Sequence, residues 1–362
     1  MSKHILLGIS GGIAAYKSCE LVRLLKKQGH SVSVVMSKAS TEFISPLTFQ
    51  ALSGNPVLVD THDGHSTRGM SHIDLTREAD VFLIAPATAN TVAKIANGIA
   101  DNLLTNLAAA RKCPMAVAPA MNVEMWNNPA NLRNIEQLRS DGITVFQPAY
   151  GEQACGEIGL GRMLEAADLA DLISDLWIPK ILLGKRILIT AGATFEAIDP
   201  VRGITNISSG QMGTALARAC RAAGAKVTLI YGQLQTTIPT GLLHTEQAVS
   251  AEEMFHAVYN HITDQDVFIS VAAVADYKVK NSSSQKMKKD GSGKVPVIEL
   301  TENPDILASI ASLPTPPFCV GFAAESERVL EYARIKRIRK NIPMLVANQI
   351  SQSMGKTTNQ IT

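Results

Sequence analysis

Three absences narrow the field before any motif is read. No unbroken apolar stretch approaches the ~18 residues of a membrane-crossing helix, and no secretory leader is recognisable, so neither a spanning nor an exported protein is expected. Charge is scarce: Asp, Glu, Lys and Arg make up 18% of the 362 residues, with a net charge of +2. That leaves no basic face for nucleic acid. Cysteine is scarce as well, with five residues (Cys19, Cys113, Cys155, Cys220, Cys319) and no CxxC pair. An odd, scattered set fits a reducing cytoplasm, where a special cysteine is reactive rather than structural.

What fills the sequence instead is apolar, at 46% of residues. With so little charge this suits buried parallel strands, which read as continuous apolar runs. One such run opens a βα unit at Lys3–Ser37, and a second opens another in mid-chain at Lys185–Gly232. The spacing predicts an α/β protein of two Rossmann-like, doubly wound parallel-sheet domains over residues 1–180 and 181–362. Trp177–Lys185, with Pro179 and Gly184, reads as the linker.

In the first half, a strand at Ile5–Ile9 runs into Ser10-Gly11-Gly12 and then a helix through about Lys27. Small residues there let backbone N–H groups approach a phosphate. The pattern is not GxGxxG, so it specifies no dinucleotide, and a plain βα turn remains open. A second strand, Val32–Met36, puts the Ser37 hydroxyl at the carboxyl edge of the sheet, where ligands collect. A third, Val81–Ala85, is stopped by Pro86, with Thr88 and Asn90 near the next helix start. A fourth, Met115–Ala118, runs into Pro119–Trp126. There Asn122 stands among Met121, Met125 and Trp126, a set that suits a flat, partly polar ring, although each apolar residue alone is more often core. His72 follows Ser71, a plausible N-cap, yet a lone histidine is more often a bystander than a base. Gly151–Met163 places four glycines around Cys155 and reads as a mobile lid carrying a thiol. Cys19 and Cys113 read as packing residues.

These segments, SGGIAAYK, SHIDL, APATAN, PAMNVEMW and the Cys155 flap, resemble the flavin-dependent cysteine decarboxylase family in order and in wording. The resemblance implies a flavodoxin-like FMN domain, assembled as trimers with flavin sites between subunits. It implies FMN contacts at Ser10, Gly11, Gly12, Ser37, Pro86, Thr88, Asn90 and Met121. The reaction it implies oxidises a CH2–SH to a thioaldehyde, which gives the departing CO2 an electron sink, and then reduces the resulting enethiol. His72 would be base or orienter, Asn122 would hold the substrate carboxylate, and Cys155 would donate the final proton.

The second half opens with the strand Ile187–Thr190. Asp199–Arg202 and the polar segment Ile204–Gly210 then lead into a helix at Met212–Ala223, whose first amides suit a phosphate or carboxylate. A strand at Val267–Ala272 precedes Asp276, which reads equally as a Mg²⁺ ligand beside a nucleotide or as a turn cap. Asn281–Lys294 is polar and holds Lys286-Met287-Lys288-Lys289, a solvated loop or a phosphate-closing lid. Asn303-Pro304-Asp305-Ile306 starts a helix, and Cys319–Ala323 is a short strand. In the predicted helix Glu331–Asn341, Lys336 and Lys340 share a face, a repulsion easier to justify with an anion between them. Gly355-Lys356-Thr357 is no P-loop, since position 350 is isoleucine where the motif needs glycine.

ITAGAT, DPVRGITNISSGQMG, AAVADY, KMKK, NPDI, GFAAE and EYARIKRIRKN resemble phosphopantothenate–cysteine ligases. With the first half, nearly the whole chain resembles the bifunctional flavoproteins of bacterial coenzyme A biosynthesis. The resemblance implies that CTP and Mg²⁺ (or Mn²⁺) activate 4'-phosphopantothenate as an acyl-cytidylate, which cysteine then attacks. Asn206 would hold that intermediate. Ser270, Val271, Ala272, Phe322 and Asn303, Pro304, Asp305, Ile306 would line the nucleotide. Asp276 would meet the metal or the nucleotide, and Lys286, Lys289, Lys336 and Lys340 the phosphates, in dimeric ligase units. Gly203 and Ile204 stand where the family often carries an aromatic-containing segment. The chain ends at Thr362 where relatives usually continue with a strand pair and a helix, so a truncated or incomplete ligase edge is the expectation. A decarboxylase of peptidyl C-terminal cysteine fits AAVADY and KMKK poorly. A non-enzymatic flavoprotein regulator would have no need of His72, Asn122 and Cys155 together.

Overall fold

The computed structural model describes residues 2–59, 71–288, 297–325 and 327–349, the side chains of 71–74, 325 and 349 excepted. The chain divides into two compact units, Met1–Trp177 and Ile178–Thr362.

The first unit is built on six parallel strands: β1 (His4–Ile9), β2 (Ser31–Met36), β3 (Val57–Val59), β4 (Val81–Ala87), β5 (Met115–Pro119) and β6 (Thr144–Val145). Their order in the sheet is 3-2-1-4-5-6, the doubly wound Rossmann order. Burial on both faces explains the continuous apolar runs. Ile5, Leu7 and Ile9 face one core layer with Leu21, Val22 and Leu25 of the helix Ala15–Lys27. Leu6, Phe82 and Ile84 face the other, with Leu104, Leu107 and Trp126. Each such fully buried side chain contributes about 1.5–3 kcal/mol. The sheet reverses direction of growth between β1 and β4, in register Ile5↔Val81, and the crevice beyond their carboxyl ends is the switch point where ligands bind.

The second unit repeats the plan with β9 (Arg186–Ala191), β12 (Lys226–Tyr231), β13 (His244–Gln247), β14 (Val267–Ser270), β17 (Phe318–Glu325) and β18 (Met344–Gln349). The order is β13-β12-β9-β14-β17-β18, again 3-2-1-4-5-6 when counted within the sheet. Leu188, Phe268 and Cys319 pack one layer, and Ile187, Ile189 and Leu229 the other. Three antiparallel hairpins stand outside the sheets: β7 (Ala149–Glu152) with β8 (Ile158–Arg162), β10 (Phe195–Asp199) with β11 (Arg202–Thr205), and β15 (Tyr277–Val279) with β16 (Leu300–Glu302).

Several expectations need correction. Val81 begins the fourth strand, because the three-residue edge strand Val57–Val59 is too short to register as a run. Pro86 does not end its strand, which continues to Ala87 through an irregularity between Ile84 and Ala87. Proline lacks only a donor, and Pro86 serves as an acceptor here. The Cys155 flap, expected as a thiol-bearing lid, takes the form of a hydrogen-bonded hairpin. Ile204 and Thr205 belong to a strand, paired with Glu196 and Phe195. The run at Val267 leaves the sheet after Ser270, while that at Cys319 extends to Phe318–Glu325. The basic helix spans Val329–Arg339.

Candidate functional site

In the first unit the carboxyl ends of β1 and β4 are stitched by one hydroxyl. Ser10 Oγ donates to Pro86 O at 2.7 Å and accepts from Thr88 N–H at 2.9 Å. Thr88 then caps the helix Ala89–Ala96 by accepting from Thr91 N–H. Asn90 lies exposed in the first turn of that helix. Ser37 caps a turn of 3-10 helix, and its side chain accepts from Ser40 N–H. A Cβ on Gly11 would come 2.7 Å from the Ala39 Cβ, so glycine lets the loop after β1 lie against the loop after β2. The N–H groups of Gly11, Gly12 and Ile13 have no acceptor among the described residues. Unused amides at the mouth of a helix are a cradle for an anion.

The next turn carries the chemistry. Asn122 caps the short helix Val123–Asn127, accepting from Glu124 N–H at 2.8 Å. Its amide nitrogen donates toward Cys155 Sγ at 3.4 Å and also to Glu157 Oε2. Cys155 Sγ lies 3.6 Å from that same carboxylate oxygen. The thiol, amide and carboxylate therefore converge at the tip of the β7–β8 hairpin. Gln153 holds the tip in place, accepting from Val123 N–H at 2.9 Å and donating to Leu160 O at 3.1 Å. Met121 N–H donates to Gly161 O at 2.9 Å. At Gly161, whose φ is +141, a Cβ would come within 2.2 Å of Met121 O, so no side chain fits there. Lys17, buried, ties the hairpin base to the first helix through Met163 O at 2.9 Å and Glu165 at 2.6 Å.

The sequence alone brings Asn122 and Cys155 forward and misses Glu157, Gln153 and Lys17. Glu157 is exposed and its spacing to Cys155 means nothing until the hairpin closes. Lys17 lies within SGGIAAYK, and a lysine inside an apolar helical face is the available signal. His72 falls in the helix Ser71–Glu78, with its side chain outside the described residues. Met121 is half-buried against the core and Met125 is exposed.

In the second unit, threonines organise the loops beyond β9 and β14. Thr190 Oγ1 accepts from Val271 N–H at 3.2 Å and Ala272 N–H at 3.3 Å, and Thr194 Oγ1 accepts from Ala275 N–H at 3.0 Å. The amides of Val271 and Ala272 are thus occupied, which leaves their carbonyls and side chains, with Ser270 beside them, as a lining. Asn206 Nδ2 donates to Ala273 O at 3.1 Å. Asn303 anchors the same loop from the other side, donating through Nδ2 to Ala275 O and through N–H to Asp276 O, both at 2.9 Å. Asn303 Oδ1 is buried with no partner among the described residues, an acceptor of the kind that a bound donor satisfies. Asp276 is exposed and joins this network only through its carbonyl. Pro304 follows Asn303, and Asp305 caps the helix Ile306–Ala311. Phe322 is half-buried in β17.

Two of the groups expected to face anions have partners within the chain. The anion beside Lys340 is the Asp305 carboxylate, 2.7 Å from Nζ, and Lys336 has an interaction of its own. At the start of the helix Gln211–Ala222, the Gly210 and Gln211 N–H groups donate to the Ser208 and Ser209 hydroxyls at 3.4 Å. The start of the lysine run is fixed by Asp199, a buried carboxylate that accepts from Val201, Arg202 and Met287 N–H groups at 2.8, 2.9 and 3.1 Å. Those donors, Val201 foremost, hold its carboxyl below the usual range. Lys286 is exposed beside Met287. Lys289 and Gly355–Thr357 lie outside the described residues.

Two doubly wound sheets, the first with unused amides after β1 and a thiol–amide pair at the β7–β8 hairpin, the second with threonine-braced loops beyond β9 and β14, define a two-domain α/β protein of the doubly wound, ligand-binding class. Residues 1–177 match the flavoprotein family, and residues 182–362 match the DNA/pantothenate metabolism flavoprotein C-terminal domain. The coenzyme A biosynthesis bifunctional protein CoaBC of Vibrio parahaemolyticus is 49% identical over 99% of this chain and 91% of its own length. That of Escherichia coli K12 is 44% identical over 97% and 87%, and that of Bacillus subtilis 168 is 42% identical over 100% and 90%. The chain belongs to this family of bifunctional coenzyme A biosynthesis flavoproteins.

Solved structures match the halves separately. A PPC decarboxylase cysteine-to-serine mutant complexed with pantothenoylaminoethenethiol covers 49% of this chain and 99% of its own, at 35% identity and TM-score 0.45. The C-terminal domain of a CoaBC protein covers 47% and 79%, at 43% identity and TM-score 0.42. Among the described residues, no helix is long and apolar enough to cross a membrane.

Proposed function

We propose that the second unit joins 4'-phosphopantothenate to cysteine at the expense of CTP, and that the first decarboxylates the resulting phosphopantothenoylcysteine to 4'-phosphopantetheine. The observation that carries the reading is the meeting of Asn122 and Cys155, 33 residues apart in sequence and 3.4 Å apart in space, in a chain of the bifunctional family. FMN suits the first crevice, where the Gly11–Ile13 amides offer donors to its phosphate and the Ser37, Pro86, Thr88 and Met121 walls offer polar edges and an apolar face. The flavin supplies a reversible two-electron oxidation of the substrate's thiol-bearing carbon. Asn122 Nδ2 orients the substrate carboxylate. Glu157, which shares Asn122 and Cys155 as neighbours, is displaced from Asn122 when that carboxylate arrives. Cys155 Sγ gives its proton to the enethiol carbon, and His72 acts as base or orienter.

In the second unit the unpartnered Asn303 Oδ1 accepts from the nucleotide base. Asn206 holds the acyl group, and Lys286, Lys289, Lys336 and Lys340 meet phosphates. Asp276 ligates Mg²⁺ or Mn²⁺, as one carboxylate commonly does when phosphates supply the other ligands. The protein works in the cytoplasm as a homo-oligomer of trimeric decarboxylase and dimeric ligase units. The test supplies purified protein with phosphopantothenate, cysteine, CTP and Mg²⁺ and follows pyrophosphate and CO2 together. Pyrophosphate without CO2 would remove the decarboxylase assignment. CO2 only from preformed phosphopantothenoylcysteine would remove the ligase assignment.

A further inference from the structure

A third polar cluster stands apart from the residues of both proposed reactions. β13 is the edge strand of the second sheet, paired only with β12 among the described residues. Its His244 and Glu246 are two positions apart and so project to the same face. His261, the last residue of the helix Ala251–His261, closes on them. Glu246 Oε2 lies 2.8 Å from His261 Nε2 and 3.6 Å from His244 Nε2. The two imidazoles stand with centroids 4.6 Å apart and planes 37° apart. All three candidate donor atoms fall within 4.8 Å of one another. This cluster is the only group of three or more His, Cys, Asp or Glu donors so arranged among the described residues.

We propose that His244, Glu246 and His261 form a binding site for a divalent late transition ion, zinc foremost. Tetrahedral zinc with bonds of about 2.0–2.1 Å keeps its ligand atoms about 3.3 Å apart. The two separations from Glu246 Oε2, 2.8 and 3.6 Å, bracket that value, and the third, between the imidazoles, is no more than 4.8 Å, so side-chain rotations seat the ion. Two imidazoles and one carboxylate favour zinc, copper or nickel over magnesium and calcium, which prefer all-oxygen shells. The site is therefore chemically distinct from one that would serve a nucleotide's phosphates. The three side chains are partly exposed, with relative exposures of 45%, 37% and 32%, so water completes the shell and an ion enters from solvent. A bound ion staples the free edge of the sheet to the end of the helix. The other end of that helix is held by Glu196, whose buried carboxylate accepts from Ala251 N–H at 2.9 Å.

The experiment is equilibrium dialysis of the full chain against Zn²⁺ in excess Mg²⁺, with zinc counted by elemental analysis. Wild type should retain one zinc more than the double variant H244Q/H261Q, and E246Q should bind that zinc at least about tenfold more weakly. Zinc should raise the Tm of wild type and not of the double variant. X-ray absorption at the zinc edge of wild type should show nitrogen and oxygen ligands with imidazole scattering. Equal zinc retention by wild type and the double variant, or sulfur in the shell of the retained ion, overturns the proposal. Should the double variant lose its far-UV circular dichroism, E246Q and the wild-type edge spectrum decide the matter alone.

Discussion

At the scale of single residues, the proposed chemistry separates electron flow from proton delivery. Cys155→Ser is expected to keep the flavin and to release CO2, while the enethiol accumulates because its last proton is missing. Formation of the saturated thiol, read by mass spectrometry, should fall by about 10²–10⁴-fold, the range of a lost general acid. Asp305 yields a prediction of another kind. Burial pushes its carboxyl up, but Lys340 and the Ala308 N–H together outweigh this and hold it below the usual range. The stability it contributes is complete above its unfolded value of about 3.9 and is lost as pH falls through the lower folded value. Lys340→Ala removes the main counterweight, so acid unfolding followed by circular dichroism should begin at higher pH. Sequence can name Asp305 and Lys340 but not their pairing, because 35 residues separate them and only the folded chain brings them to 2.7 Å.

The decisive element is the β7–β8 hairpin. Glycines at Gly151, Gly156, Gly159 and Gly161 read as looseness in sequence, yet two of them answer to close packing. Cβ positions at Gly159 and Gly161 would fall 2.4 Å from Val123 Cγ2 and 2.2 Å from Met121 O. Gly161→Ala should push the hairpin off the Asn122 turn and abolish turnover, with flavin content measured as the control for folding. Lys17→Met, at the hairpin base, leaves Met163 O without its donor and should lower the stability of the first unit by about 1–3 kcal/mol, read as a fall in Tm. The long parallel strands are legible because burial on both faces writes itself as an apolar run. β3, β10, β11, β15 and β16 are not, since three to five residues at an edge or outside the main sheets leave no such run. The proposed zinc ligands escape notice for a similar reason. His244 and Glu246 are ordinary polar residues of an edge strand until the helix returns His261 to them.

Over the whole molecule, the two crevices belong to separate sheets, and substitutions in one should leave the other's chemistry intact. Pyrophosphate release should stay within about twofold of wild type in Cys155→Ser, and CO2 release from preformed phosphopantothenoylcysteine should do so in Asn206→Ala, as expected for sites that share no partners. No strand of the first sheet pairs with a strand of the second among the described residues, and the buried residues packed with β1 lie between Ile5 and Ile173. This has a consequence during synthesis. Units fold from the amino end as the ribosome releases them, so a nascent chain can close the first core before the second has been translated. The amide cradle after β1 can thus take shape in a protein still being born.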